Sequence, residues 1–273
     1  MTSPSVSVAL IAYNRKEILK KTLQAYACQS ARDHILEIVV TDDGSTDGTG
    51  ESVREYAAQS PVPIRYFYQR NQGPAKARNR TIDEARGDLI LFGDDDVIPQ
   101  PDHVAQHVAW HQKYPDAQVA VLGYVDWAPE LHPTPLMRWL NHAGPHAGYG
   151  SLVSGGEGSF FNFYTGNVSL KLEFVKSTGR FDEDFRRYGL ADTEFGYRLK
   201  KNGMRLLYNP HSVGYHYKRI TVASERRRIR AVAKAREIIA RKEAGIELAK
   251  IQWEYKTPPG SSADYRNSAP WGR

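Results

Sequence analysis

Three adjacent carboxylates, Asp94-Asp95-Asp96, follow an apolar run at 89–92. Neighbouring carboxylates repel one another unless a cation or a set of donors sits among them. In an extended run alternate side chains share a side, which would put Asp94 and Asp96 together and Asp95 opposite. Two oxygen ligands with open positions suit Mg²⁺ or Mn²⁺ carrying phosphate oxygens, whereas the plain alternative is a solvated turn. A second acidic pair, Asp42-Asp43, follows the apolar run at 35–40 and continues as Gly44-Ser45. A carboxylate there can accept a base N–H or a ribose hydroxyl, or form an Asx turn that caps the next helix. Gly73-Pro74-Ala75-Lys76-Ala77-Arg78-Asn79 opens a helix whose free N–H groups favour an anion, with Arg78 the stronger cationic candidate and Lys76 the weaker. The chain has neither GxGxxG nor GxxxxGK[ST], so the usual dinucleotide and P-loop cradles are absent. A nucleotide whose phosphates are neutralised by a metal is the natural alternative.

The elements that must hold these groups follow from periodicity. Apolar runs at 6–11, 35–40, 64–68 and 89–92 predict buried strands. Helical spacing at 17–26, 49–58 and 73–85 separates them. Such βαβ alternation predicts a mostly parallel sheet with helices on both faces, and ligands bind beyond the carboxyl ends of its strands. Both acidic clusters and the Tyr13-Asn14-Arg15 turn lie at those ends. A helix at 101–114 and a strand at 119–125 follow. Residues 128–163 read as irregular, with six glycines between Gly144 and Gly158 suited to a mobile lid. A strand at 168–172, helices at 172–177 and 192–202, short strands at 206–208 and 212–216, and one long helix from 221 to about 250 complete the pattern. The tail, 258–273, is rich in Pro, Gly and Ser.

Composition sets the outer limits. The 273 residues are 41% hydrophobic and 25% charged, which excludes wholesale disorder. One cysteine, Cys28, excludes an intrachain disulfide and any multi-cysteine zinc site. No apolar run is long enough to span a membrane, and no leader segment is expected. A reducing cytoplasmic setting fits best. Of the net charge of +6, residues 218–250 contribute eleven Lys or Arg against four Glu, so the rest of the chain sits near −1.

Four segments in register carry a family resemblance: Val8-Ala9-Leu10-Ile11-Ala12-Tyr13-Asn14-Arg15, Ile38 to Asp47, Asn71 to Asn79, and Gly87 to Pro99. Their order and spacing resemble the inverting GT-A glycosyltransferases of family 2 over roughly residues 5–218. The resemblance implies a single Rossmann-like nucleotide-binding domain of α/β class and a sugar-nucleotide donor, with UDP the expected nucleotide. Ala12 and Tyr13 would line the base, with Arg15 in the same turn, and Asp43 or Asp42 would meet uracil. Arg78 would reach base or phosphate. Asp94 would contact ribose or sugar, with Asp95 beside it, and Asp96 would bind Mn²⁺ or Mg²⁺ under the diphosphate. Gly93 stands where such proteins usually carry an apolar residue.

Inverting transfer also needs a base for the acceptor hydroxyl. The segment Gly189-Leu190-Ala191-Asp192-Thr193-Glu194 resembles the Gly-Glu-Asp-x-Glu stretch of family 2 and polypeptide-GalNAc-transferase-like enzymes. Asp192 matches the catalytic aspartate, while Ala191 replaces the preceding glutamate. Asp192 would otherwise serve as a helix N-cap. Glu194 would orient the acceptor or pair with Arg198, four residues on. His216 matches a third metal ligand, against the plain reading of a packing histidine, and His211 is the weaker choice. Thr165-Gly166-Asn167 resembles the segment below the donor sugar, and Trp127 is an aromatic candidate for sugar contact.

The resemblance therefore implies a catalytic domain over 1–218, split at about residue 100 into a nucleotide-sugar half and an acceptor half. A basic helical extension (219–255) and a tail (256–273) follow. The acceptor would be a glycan or a lipid-linked glycan. In the extension Ile229, Val232, Ile239, Ile246 and Trp253 share a face. This helix could pack on the domain, pair two copies as a homodimer, or lie weakly on an anionic membrane at its inner face. Other chemistries compete. A nucleotidyltransferase would want a glycine-rich basic loop after the first strand, where Ala12-Tyr13-Asn14-Arg15 stands. A nucleic-acid-binding role is suggested only by Arg226-Arg227-Arg228 and Arg230. A non-catalytic scaffold would leave the carboxylates without a metal.

Overall fold

The structure is a computed structural model and describes residues 3–144, 148–186 and 189–241. Strands and helices alternate through the first third: β1 (Val6–Ala12), α1 (Lys16–Ala27), β2 (Ile35–Asp42), α2 (Thr49–Ala57), β3 (Ile64–Tyr68), α3 (Pro74–Glu84) and β4 (Leu89–Asp94). There follow β5 (Val97–Pro99), α4 (His103–Lys113), β6 (Val119–Trp127), α5 (Pro135–His142), β7 (Glu157–Gly158) and β8 (Asn167–Lys171). The last described elements are α6 (Leu172–Thr178), α7 (Ala191–Lys201), β9 (Arg205–His216) and α8 (Val222–Ala240).

The strands form one sheet in the order β3-β2-β1-β4-β8-β6-β9-β5, with β7 added on β9. β1 to β4, β6 and β9 run one way, and β5, β7 and β8 run against them. The sheet is therefore mostly parallel. Both of its faces are covered. Val8 and Leu10 of β1 pack with Leu19 and Leu23 of α1, Val53 of α2 and Val104 of α4. Ala9, one residue out of phase, packs on the other side with Ile82 of α3, Val175 of α6 and Phe195 of α7. That period-2 switch within a wholly apolar strand is what a sheet with helices on both faces requires.

Several expected boundaries shift. The stretch 128–163 contains α5 and β7, because Pro135 can start a helix at its first turn and Thr134 accepts the Met137 N–H as a cap. Within the stretch expected as a lid, Tyr149 is buried and its hydroxyl accepts the Val125 N–H at 3.2 Å, whereas Val153 is 74% exposed. Residues 145–147 of that stretch lie outside the described residues. The two short strands near 206–216 are one strand, β9, whose pairing with β6 slips between Gly123 and Tyr124. β5 was not expected from the sequence, since three residues carry too short a pattern. Ala235 and Ile239 of α8 belong to the same core as Phe195 and Leu199, so this helix packs on the domain. Ile229 is 55% exposed and leaves the expected apolar face. Ile246, Trp253 and the tail lie outside the described residues. No helix among the described residues is long and apolar enough to cross a membrane.

Candidate active site

The parallel strands end along one rim, and the expected site residues gather there. β1 and β4 pair in register so that Ile11 lies beside Asp94, while β1 and β2 pair Ala12 with Asp42. Beyond Asp94 the chain turns at Asp95-Asp96 before β5. The acidic triplet is thus a strand end plus a turn, which corrects the extended alternation expected for it. Asp95 does not stand apart on an opposite side: Arg15 contacts both it, at 3.9 Å, and Asp96, at 3.4 Å. Asp94 faces elsewhere, accepting the Tyr164 O–H at 2.9 Å.

Asp96 and His216 meet because β5 pairs antiparallel with β9, placing Val97 opposite His216. The His216 Nε2 lies 3.2 Å from Asp96 Oδ1. Burial raises the Asp96 carboxyl, yet its bond to His216, the charge of that ring and the guanidinium of Arg15 hold it down at about 2. Burial pushes Asp94 up, aided by Asp96 and opposed by Arg78. Burial and Asp96 together push Asp95 well above the carboxylate range. Lys218, absent from the expected set, adds positive charge at Asp95 and Asp96. Trp127 stacks on His216, with centroids 5.2 Å apart and planes 12° from parallel, and its Nε1–H donates to Met137 O at 2.7 Å. The ring expected to contact sugar thus lies face to face with the histidine, and both line the same cavity.

Among the described residues no group of three His, Cys, Asp or Glu is assembled for a metal. A paired carboxylate and imidazole nevertheless fit a Mn²⁺-type cation whose remaining positions are filled by phosphate oxygens.

The Asp42-Asp43 loop is internally bonded. Asp42 accepts the Ser45 N–H at 2.7 Å and the Tyr66 O–H at 2.7 Å. Asp43 accepts from Gln69 Nε2, Gln72 N and Gly73 N, at 2.7, 3.0 and 2.8 Å. A carboxylate offers about four acceptor sites, so Asp42 retains more capacity than Asp43. Both are buried, while Tyr13 next to them is 50% exposed. Asp43 also ties the β2 loop to the start of α3, the helix that carries Arg78.

Arg78 stands between the end of β4 and the start of α7. Its Nη2 is 3.8 Å from Asp94 Oδ1 and its Nη1 is 3.9 Å from Asp192 Oδ1. Asp192 is not the cap of α7: the helix starts at Ala191 with Leu190 in the cap position. Its Oδ2 instead accepts from the Thr165 hydroxyl at 2.9 Å and the Thr165 N–H at 3.3 Å. Tyr164 and Thr165 thus position both acids, a role not assigned from the sequence; the signal was their place directly before Gly166. A Cβ on Gly166 would lie 2.4 Å from the Tyr164 ring, so glycine is what lets that ring reach Asp94.

Two expected contacts are used internally. Glu194 makes a bidentate pair with Arg198 at 2.6 and 2.9 Å. The buried Asn167 donates to Tyr124 O and Ser212 O and accepts from His107. A cavity of about 590 Å³ adjoins the rest, with Arg78, Trp127, Tyr164, Asp192 and His216 in its wall. α8 contributes Arg228 and Val232 to the same lining.

Known proteins resemble this chain in sequence and in fold. The family model Glycosyl transferase family 2 matches residues 7–162. A validoxylamine A glucosyltransferase of Streptomyces hygroscopicus subsp. limoneus is 32% identical over 236 residues, covering 77% of this chain and 51% of that one. The chain spans about half the length of the curated relatives it matches first. Among solved structures, the mannosyltransferase PcManGT of Pyrobaculum calidifontis, in complex with GDP-Man and Mn²⁺, superposes with a TM-score of 0.65 at 22% identity. That match covers 95% of this chain and 67% of the other. S. aureus TarS 1-349 in complex with UDP-GlcNAc gives 0.63 at 20% identity, covering 80% and 59%. The fold is that of the GT-A glycosyltransferases.

Proposed function

The chain belongs to glycosyl transferase family 2, and from that premise we propose that it transfers a sugar, with inversion, from a nucleotide-sugar donor to an acceptor hydroxyl. The observation that carries this reading is the convergence of Asp192, Arg78 and His216 in one cavity wall, with Asp96 bonded to His216. Asp192 acts as the general base. Thr165 occupies its Oδ2, which leaves Oδ1 to take the acceptor proton. Asp96 and His216 would hold Mn²⁺ or Mg²⁺, which when bound would offset the charge of the departing diphosphate. Arg78 and Lys218 add positive charge on that leaving-group side. Ala12 and Tyr13 line the base, and Asp42 or Asp43 accepts its N–H. A base on one face and a leaving group on the other describe a single displacement, which inverts the anomeric carbon. The residues given roles in this reading all lie within 1–218, and α8 adds to the wall of their cavity.

UDP titration with and without Mn²⁺ tests the donor side: strong metal coupling is expected, and equal affinity would remove the metal assignment. Preference for GDP over UDP would change the base and leave the reaction standing. Asp192→Asn should lower transfer by roughly 10²- to 10⁴-fold with UDP affinity retained. Near-normal transfer by that variant, or a product of retained configuration, would overturn the mechanism.

A further inference from the structure

The turn after β1 aims a cation at the acidic strand end. Asn14 holds a φ of 53°, in the left-handed region that asparagine tolerates better than most residues. Its N–H donates to Ser45 Oγ at 2.8 Å, and its side-chain oxygen accepts the Thr46 N–H at 2.8 Å. The next residue is pinned on both sides of its Cα. The Arg15 N–H donates to Thr49 Oγ1 at 3.2 Å, and the Arg15 carbonyl accepts the Leu19 N–H of α1 at 2.9 Å. From that fixed point the guanidinium reaches Asp95 and Asp96. The two oxygens of Asp96 are divided between partners. Oδ1 meets His216 Nε2 at 3.2 Å, and Oδ2 meets Arg15 Nη2 at 3.4 Å. The Asp96 side chain is 5% exposed, so water and salt screen this contact little. The rest of the triplet is matched as well. Arg78 stands by Asp94, and Lys218 adds its charge at Asp95 and Asp96. Three cations thus face at most three carboxylate charges, and the triplet has no negative surplus to draw in a dication by itself.

We propose that Arg15 is the residue that makes metal binding depend on the nucleotide. This rests on the glycosyltransferase reading and on Asp96 and His216 as the metal-holding pair within it. A guanidinium stays protonated in proteins, so it cannot withdraw its charge by losing a proton. A dication on Asp96 would share that carboxylate with a fixed positive charge and be repelled by it. A diphosphate arriving with the metal brings several negative charges, and the N–H donors of the same guanidinium suit its phosphate oxygens. Arg15 thus disfavours the metal alone and favours the metal with its nucleotide, so one side chain couples the two ligands. By reciprocity UDP strengthens Mn²⁺ binding by the factor by which Mn²⁺ strengthens UDP binding. A residue that merely held the turn would change both affinities in the same direction.

The test titrates Mn²⁺ into the full chain and follows the free ion by electron paramagnetic resonance, with and without saturating UDP. In Arg15→Gln, Mn²⁺ alone should bind about fivefold or more tightly than in the unaltered chain, a factor within the range usual for coupled ligands. The strengthening by UDP should shrink by at least the same factor. Arg15→Lys keeps the charge and should keep the binding of Mn²⁺ alone weak. Adding Asp96→Asn to Arg15→Gln should remove the gain, which would locate it at this carboxylate. Melting temperatures check that each variant is folded. The proposal is overturned, with the glycosyltransferase reading left intact, by any of three results: no tighter binding of Mn²⁺ alone in Arg15→Gln, an unchanged strengthening by UDP, or a gain that survives Asp96→Asn. No strengthening of Mn²⁺ by UDP in the unaltered chain would remove the metal assignment and this proposal with it. Failure of UDP itself to bind would overturn the wider reading.

Discussion

At the residue scale, the departure at Gly93 has a local cause. A Cβ there would stand 2.7 Å from the Tyr26 hydroxyl and 3.1 Å from Leu10. Tyr26 is fully buried, and burial together with the charge of Asp94 drives its phenol well above the ordinary range. Glycine therefore makes room for a tyrosine of α1 beneath the acidic strand end. Placing a large apolar residue here by Gly93→Leu should overpack this point and destabilise the fold by about 1–3 kcal/mol, measured by urea denaturation. Adding Tyr26→Phe should recover part of that loss, since it removes the atom that collides first. The same reasoning makes Thr165 more than a motif neighbour. Its hydroxyl and N–H fix one oxygen of Asp192, so the acid's aim depends on the backbone just before β8.

At the element scale, α4 and β8 are joined by a buried hydrogen-bonded chain whose direction can be deduced. Asn167 donates its Nδ2 to two backbone carbonyls, so its Oδ1 must accept from His107 Nε2. His107 Nδ1 is then an acceptor, and Ser169 must donate to it. Ser169 in turn accepts from His111 Nε2, and His111 Nδ1 accepts from Lys171. Both histidines are consequently neutral, with the proton on Nε2. His103, whose Nδ1 meets Val213 O, has a buried Nε2 without a partner among the described residues. Burial pushes all three rings down, His107 to about 4, and burial lowers Lys171 to about 8. Facing groups are Ser169 and Lys171 of β8, Ser212 of β9 and the Tyr26 ring, and none of the three rings is bonded to a carboxylate. The sign follows from proton counting. Below about pH 6.5 the unfolded histidines bind protons that the folded ones refuse, so stability falls as pH drops from there toward 4. Urea melts at pH 7.5, 6 and 5 should show this, and His107→Gln should flatten part of the slope. Nitrogen-15 shifts should report the Nε2–H form for His107 and His111 at neutral pH.

At the scale of the whole molecule, α8 lines the cavity that holds Asp192 while packing into the main core. Ile239 is 7% exposed and sits in the same cluster as Phe195 and Leu199 of α7, the helix that begins beside Asp192. Ile239→Ala should cost about 2–4 kcal/mol of stability. It should also weaken acceptor use more than UDP binding, because α8 lines the cavity and the β1–β4 rim does not depend on it. Comparing denaturation midpoints with separate donor and acceptor titrations checks both halves of that expectation.

What the sequence by itself determined is local and periodic. Apolar runs closed by Asp42-Asp43 and Asp94-Asp95-Asp96 sufficed for a parallel sheet with its acids on one rim, since chain direction and short connections leave few other topologies. The segments from Val8 to Pro99 were legible because each keeps strand, turn and helix signals within a few residues. Only the tertiary structure decided which distant groups meet. His216 reaches Asp96 through the three-residue strand β5, too short to show a period. Asp192 is held by Thr165, 27 positions away, through side-chain and backbone bonds that no spacing encodes. Asn167 and Glu194 carry motif positions, yet burial sent their polar atoms to internal partners. The basic segment read from composition as an appendage became a wall of the cavity because Ala235 and Ile239 bury one side of α8. Periodicity can state that a helix has a face, but only packing decides what that face covers and which cations are left beside the site.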